Sequence, residues 1–263
     1  MQKTTLALII LLLAAPAGAQ LVAPRGATSE LLIPASGAVP GANGTFFRSD
    51  ITIINYRTSS QLVRFRWMPE NTSGADEAPK DITIPASSGI ISEDFVTTIL
   101  GKTGLGAIQV TAINADGTFD VNGRLFATSR IWTPQPNSTG TVSQTFPTLA
   151  IDDIPAGPRL AITGQRRDDR YRLNVGIVNL GSLKAQTFAV AVSTGPGQTL
   201  ETVVVPPRSI RQVGLPGDAS STIQITVQNV TTGTQSPFVA YGSSVDNITG
   251  DSWSSLGYVP TAP

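Results

Sequence analysis

Adjacent carboxylates offer the raw material for hydrolytic chemistry, among them Glu93-Asp94, Asp152-Asp153 and Asp168-Asp169. A glycosidase needs two carboxyl groups held about 5–10 Å apart across one bond. Neighbours on a strand point to opposite faces, so none of these pairs is a dyad as it stands. Asp168-Asp169 lies among Arg166, Arg167 and Arg170 and reads as a solvated, charge-balanced turn. Calcium, which takes oxygen ligands alone, has two candidate sites: Asn114, Asp116 and Asp120 around Gly117, and Asp246-Asn247 with Asp251. Both lack the bidentate Glu of an EF-hand loop and also fit tight turns, so no metal or cofactor is expected. Trp132 and Trp253, read at a strand end and in a turn, could present rings to a sugar, while Trp67 alternates with Phe65 and Val63 and reads as core. Arg48 and Arg172 occupy matching places in two similar strand patterns. The plain reading pairs Arg48 with Asp50; the functional one makes both arginines ligand contacts.

What is missing narrows the chemistry further. The 263 residues include no cysteine and no histidine. Disulfide scaffolds, thiol catalysis, Cys/His zinc sites and histidine-based triads are therefore excluded. Lys+Arg and Asp+Glu are equal at 18 each, which gives no electrostatic footprint for nucleic acid. No glycine-rich turn with Lys-Ser/Thr opens a helix, so no phosphate-binding loop is read. Five Asn-x-Ser/Thr sequences (Asn43, Asn71, Asn137, Asn229, Asn247) are read as ordinary loop composition.

The elements that must position these residues begin after a targeting segment. Lys3, the apolar run Leu6 to Ala15, and Ala17-Gly18-Ala19 predict a signal peptide over residues 1–19, cleaved after Ala19. No later run reaches the roughly 18 apolar residues that a membrane span requires. The expected location is periplasmic or secreted, with folding by burial alone.

The mature chain repeats itself once. Phe47 to Asn55 lines up with Tyr171 to Asn179, Ile82 to Pro85 with Val203 to Pro206, Ile108 to Thr111 with Ile223 to Thr226, and Phe146-Pro147 with Val259-Pro260. The order is kept while the offset shrinks, as expected if the second copy has shorter loops; a period this long means two domains. Val63, Phe65 and Trp67 alternate with Arg64 and Arg66, a half-buried strand. Tyr171, Leu173, Val175 and Ile177 share a face in the same way. One helix is predicted, with Ser92 as N-cap, Glu93 and Asp94 in its first turn and Gly101 as its stop.

Leu32-Ile33-Pro34, the stretch Pro40 to Asp50 leading to Asn55, Gln165 to Asn179, and Val245 to Asp251 together resemble a group of uncharacterised secreted bacterial proteins with two tandem β-rich, immunoglobulin-like repeats. The resemblance implies export and a doubled β fold and supplies no catalytic residues. The chain departs from it at Asn55-Tyr56-Arg57, where Asn-Pro is expected, which bears on the first turn's geometry.

The expected architecture is all-β: two tandem immunoglobulin-like sandwiches over residues 24–148 and 158–261, joined by a linker at 149–157, with one short helix in the first. The expected function is a non-enzymatic binding or structural module presenting loops or sheet edges to a protein or glycan partner. A carbohydrate-binding module, a two-domain periplasmic chaperone and a carboxylate-based hydrolase are the alternatives.

Overall fold

The computed structural model describes residues 22–41, 44–135, 138–194, 197–215 and 220–260. The expected signal peptide lies outside them, as do Asn43, Asn137, Pro196 and the turn Pro216-Gly217-Asp218. The chain is all-β and antiparallel, with one short α-helix and one 3-10 turn among the described residues.

The first nine strands are β1 (Glu30–Pro40), β2 (Phe46–Asn55), β3 (Gln61–Pro69), β4 (Lys80–Ile84), β5 (Ser88–Ser92), β6 (Gly104–Ile113), β7 (Leu125–Pro134), β8 (Thr141–Phe146) and β9 (Leu149–Ala150). One layer runs β4-β3-β6-β1, with β9 paired to the far side of β1. The other layer contains β2, β5, β7 and β8. Strand β1 belongs to both. Its register shifts between Ile33 and Ser36, around Pro34, and its end then pairs with β2 through Val39–Phe47 and Pro40–Phe46. A bulge is where a strand can bend and where a proline's missing N–H is tolerated.

Eight strands follow: β10 (Arg159–Arg167), β11 (Tyr171–Asn179), β12 (Gln186–Thr194), β13 (Gly197–Val205), β14 (Ser209–Gly214), β15 (Ser220–Asn229), β16 (Phe238–Asp246) and β17 (Ser252–Leu256). They form the sheets β10-β15-β12-β13 and β14-β11-β16-β17. This is the pairing order of β1-β6-β3-β4 and β5-β2-β7-β8, strand for strand.

Each pair of sheets closes over its own core. Ile51, Ile53, Val63, Phe65, Trp67, Ile108 and Val110 fill the first, and Leu173, Val175, Ile177, Phe188, Val190 and Phe238 the second. The alternation read from the sequence is this inward face. Helix α1 (Phe95–Thr98) plugs the first core, where Phe95 meets the Phe65 ring edge-on at 5.4 Å. The helix starts later than the sequence suggests: Asp94 occupies the N-cap position, while Ser92 is held in β5 opposite Ile51 and hydrogen-bonds Thr98. Gly101 ends it in the left-handed region, φ 67°, with its N–H on the Thr97 carbonyl.

A third core joins the two sandwiches. Leu32, Met68 and Ala107 on the outer face of one layer, together with Phe146, pack against Val178, Ile210, Val239 and Tyr241. Phe146 and Tyr241 meet edge-on at 5.1 Å, and Gly176 leaves the space that the Tyr241 ring occupies. Fully buried side chains of this size contribute about 1.5–3 kcal/mol each. Polar bonds add direction: Asn71 N–H to the Ile210 carbonyl (3.0 Å), Gly74 N–H to Pro207 (3.0 Å), and the Ser209 hydroxyl to Pro69 (2.7 Å). The segment expected as a linker is itself tied down. Leu149 and Ala150 pair with β1, and Ile151 and Ile154 pack against the shared core.

Candidate functional site

Strands β2 and β7 bring Arg48 and Trp132 together as direct cross-strand partners. Trp132 is half-buried and donates its indole N–H to the Glu93 carbonyl at 2.8 Å. Arg48 lies 3.5 Å from Asp94 and over the Phe46 ring, not against Asp50. Asp50 is taken instead by Arg130, its directly opposite neighbour on β7, at 2.9 Å. Opposed residues on paired strands are closer than next-but-one residues along a single strand, so the cross-strand arginine wins.

Trp253 lies within β17, opposite Ser244, rather than in the preceding turn. It is 36% exposed, yet its orientation is fixed: the indole N–H donates to the Gly164 carbonyl (2.8 Å) and the Tyr171 ring meets it edge-on at 5.5 Å. The guanidinium carbons of Arg166 and Arg170 lie 4.4 and 5.3 Å from the centre of the Tyr171 ring. Such cation–π contacts contribute about 0.5–1 kcal/mol at exposed sites. Arg172 is exposed and donates to Asn247 at 2.8 Å, but as the strand neighbour of Tyr171 it points to the opposite face. Trp253 therefore gathers Tyr171, Arg166 and Arg170, and Arg172 stands apart.

The carboxylates serve ion pairs and turns. Asp168 binds Arg166 at 2.6 Å and caps the hairpin by accepting the N–H groups of Arg170 and Tyr171. Burial alone would raise its pKa, but the arginine and the two N–H groups outweigh that and lower it. Asp246 is bound by Arg170, which with the N–H groups of Ile248 and Thr249 holds its carboxyl down at about 2 against desolvation. Asp152 and Asp153 are exposed on the 3-10 turn Ile151–Asp153. Among the described residues, every carboxylate displaced from its ordinary pKa (Asp81, Asp116, Asp120, Asp168 and Asp246) is displaced downward, the direction opposite to that of a general acid.

Neither calcium candidate converges. Asp116 accepts from the Thr118 N–H and hydroxyl (3.0 and 2.6 Å), and Asn114 turns its amide to Thr118 and Phe119. Asp120 turns away to Arg57 at 2.6 Å. Asp251 accepts the N–H of Ser252, while Asp246 is occupied by Arg170. No cluster of three or more acidic side chains fit for a metal exists among the described residues.

The residues that organise the loops had a visible signal whose meaning was not. Asn55 and Asn179, matched in the repeat, are both fully buried. Asn55 donates to Ser59, Ile84 and Pro85 carbonyls (2.9, 3.3 and 3.0 Å) and accepts from the Arg57 N–H (3.0 Å). Asn179 donates to Lys184, Val205 and Pro206 (3.1, 3.2 and 2.9 Å) and accepts from Gly181 (2.9 Å). Ser87 and Arg208, each two residues past those prolines, both hold left-handed backbones, φ 46° and 44°. A non-glycine residue pays about 1–2 kcal/mol for that conformation, so its recurrence marks a corner that is built twice. Asn229, read as loop, is instead buried at the end of β15, where it donates to Gln186 at 3.0 Å.

Beside each corner lies a concavity. The first, about 480 Å³, is polar and is lined by Tyr56, Arg57, Ser59, Asn122 and Arg124. The second, about 500 Å³, lies between the sandwiches, with Leu180, Ser236 and Pro237 on one side, Gln109 on the other, and Ile154 and Pro155 of the connecting segment between.

No protein-family model matches the chain, and no curated protein matches it. Among solved structures it is similar to the crystal structure of Thermotoga maritima 1070, at 12% identity over 41% of this chain and 98% of that one, with a TM-score of 0.34. A likeness that slight carries no argument about fold or function.

Proposed function

We propose that this protein is an exported, non-enzymatic binding module: two immunoglobulin-like sandwiches, fixed against one another, that present a preformed surface to a protein or glycan partner. The observation that carries the reading is the Trp253 group. A partly exposed indole is held at both its N–H and its ring edge, with two arginines gathered on the adjoining tyrosine. Tryptophan, tyrosine and arginine dominate binding hot spots, and rigid aromatics lose little entropy on contact. The carboxylates, committed to arginines and turn N–H groups, fit a structural role better than a hydrolytic one.

The carbohydrate-binding variant of this reading is favoured by the exposed part of Trp253, because a sugar needs an accessible aromatic surface. A glycan array probed with the labelled full chain, run beside capture of proteins from the source culture, separates the two classes of partner. In either arm Trp253→Ala should weaken binding by about 2 kcal/mol, roughly thirty-fold, with the fold intact. Undiminished binding by Trp253→Ala would remove the surface from consideration. Turnover of any glycan by the full chain would overturn the non-enzymatic reading.

A further inference from the structure

The corner held by Asn55 opens on the hollow of about 480 Å³, whose lining includes Tyr56, Arg57, Thr58, Ser59, Asn122 and Arg124 and no acidic residue. Two short segments form it, joined where the Tyr56 N–H donates to the Arg124 carbonyl at 2.8 Å. Its side chains carry donors that the fold does not use. Arg57 gives one guanidinium nitrogen, Nη1, to Gln61 and Asp120 (both 2.6 Å), which leaves Nε and Nη2 unspent. Asp120 balances that charge; its side chain is only 10% exposed, and its other oxygen takes the Asn122 backbone N–H at 2.9 Å. Arg124 is exposed and, among the described residues, its guanidinium has no hydrogen-bond or ion-pair partner. The hydroxyls of Tyr56, Thr58 and Ser59 and the Asn122 side-chain amide have none either. The duplication supplies a control. In the second copy the Leu180 N–H donates to the Pro237 carbonyl at 3.1 Å, so Leu180-Gly181 stand for Tyr56-Arg57 and Pro237 for Arg124. The hollow beside that corner has no charged residue in its lining. The same corner thus closes without a cation, and the fold does not require the charge on Arg124.

A surplus positive charge, several unspent donors and no carboxylate in the wall fit an anion that also carries hydroxyl groups. We propose that this hollow binds a small hydroxylated oxyanion, of the sugar-acid or sugar-phosphate kind, with its anionic head on Arg124 and the free edge of Arg57 and its hydroxyls on Thr58, Ser59 and Asn122. The volume falls within the usual range for small-molecule sites, about 300–1,000 Å³. Charge complementarity chooses the head group: guanidinium forks match carboxylate and phosphate in geometry and sign. Hydroxyls and a carboxamide both donate and accept, which is what the hydroxyls of a sugar need. The hollow belongs to the first sandwich, whereas Trp253 lies on β17 of the second, so the site does not depend on that surface.

Titration calorimetry of the full chain with glucuronate and with glucose 6-phosphate tests the proposal, using glucose as the neutral probe. At least one of the two acids should bind saturably, one per chain, and the tighter of them identifies the head group. Glucose should bind about ten- to hundred-fold more weakly, the worth of a charge-assisted hydrogen bond. Arg124→Gln should lose about as much for the acid and nothing for glucose, while Arg124→Lys, which keeps the charge, should recover part of the loss. Arg124 has no partner to forfeit, so its variants should melt with the parent, and melting curves verify that. Trp253→Ala should bind the acid as the parent does. Equal affinity for glucose and the acids, acid binding unaffected by Arg124→Gln, or no saturation with either acid would each overturn the assignment.

Discussion

Replacing Asn179, the buried last residue of β11, with alanine should destabilise the second sandwich substantially. The side chain is fully buried and makes four hydrogen bonds: three from its amide to the Lys184, Val205 and Pro206 carbonyls, and one from the Gly181 N–H to its Oδ1. The amide's two N–H groups are shared among three carbonyls, so three hydrogens are engaged in all, and at a net value of about 0.5–1.5 kcal/mol each their complete loss would amount to about 1.5–4.5 kcal/mol. Three of the four bonds are only part-buried, so water can reach those partners after truncation, which places the expected value at about 2–4 kcal/mol. That is a large share of a total that is usually about 5–15 kcal/mol. With urea m-values of about 1–3 kcal/mol per molar, the midpoint should move by about 1–2 M without a change in slope. Asn179→Asp sharpens the test: it keeps the shape but turns an oxygen toward three carbonyls, and should be at least as damaging. Asn55→Ala, in the same arrangement in the first sandwich, should shift the transition by a similar amount. A midpoint within about 0.5 M of the parent for Asn179→Ala, at unchanged slope, would mean that the corner is not held by its asparagine.

Other consequences concern charge and packing. Arg170 holds the Asp246 carboxyl at about 2, below its ordinary 3.8. A depressed folded-state value means that the pair's stabilisation is complete above pH 3.8 and is lost as the pH falls toward 2. Arg170→Gln should flatten that part of a melting-temperature profile taken from pH 5 to pH 2. Tyr241 is buried, its pKa is raised by desolvation, and its hydroxyl donates to Gln212 at 2.9 Å. Tyr241→Phe should therefore cost about 1 kcal/mol and leave the alkaline absorbance titration of the native protein unchanged. Gly176→Ala places a Cβ inside the space of the Tyr241 ring and should lower stability by about 1–3 kcal/mol or more, measured by thermal melting.

Strand type was readable wherever a sheet has one wet face. Val63, Phe65 and Trp67 alternate with arginines because the outer side of β3 reaches solvent along much of its length, and the same logic exposed Leu173, Val175 and Ile177. It fails where both faces are covered. Leu31, Leu32 and Ile33 in β1, and Phe238 to Tyr241 in β16, are buried without interruption because the second sandwich packs on the back of the first. An unbroken apolar run was the signal for that contact, but a run names no partner. Thr249-Gly250-Asp251 stands so close before Trp253 that its turn chemistry masks the strand, which only pairing with β16 defines. The Arg48–Trp132 and Asp50–Arg130 pairings depend on register between strands some 80 residues apart, which periodicity does not encode. The interdomain concavity was beyond reach for the same reason. Its walls come from the backs of two sheets and a segment that composition alone marked as a tether.

The duplication separates what this fold requires from what it leaves free. The asparagine corner, the left-handed residue past the proline and the glutamine that opens the third strand of each copy, Gln61 and Gln186, all recur. Immediately beside them the copies part. Tyr56-Arg57 in the first corresponds to Leu180-Gly181 in the second, and Gln61 accepts from the Arg57 guanidinium, whereas Gln186 accepts from Asn229 and the Ser236 N–H. The first copy's concavity is consequently polar and open to solvent. The second is more apolar, with Ile151, Ile154, Leu180 and Pro237 beside Gln109 and Ser236, and the connecting segment and the back of the first sandwich form its other sides. A costly backbone corner is thus kept twice while Tyr56-Arg57 gives way to Leu180-Gly181 beside it, so that the two corners border hollows of different polarity.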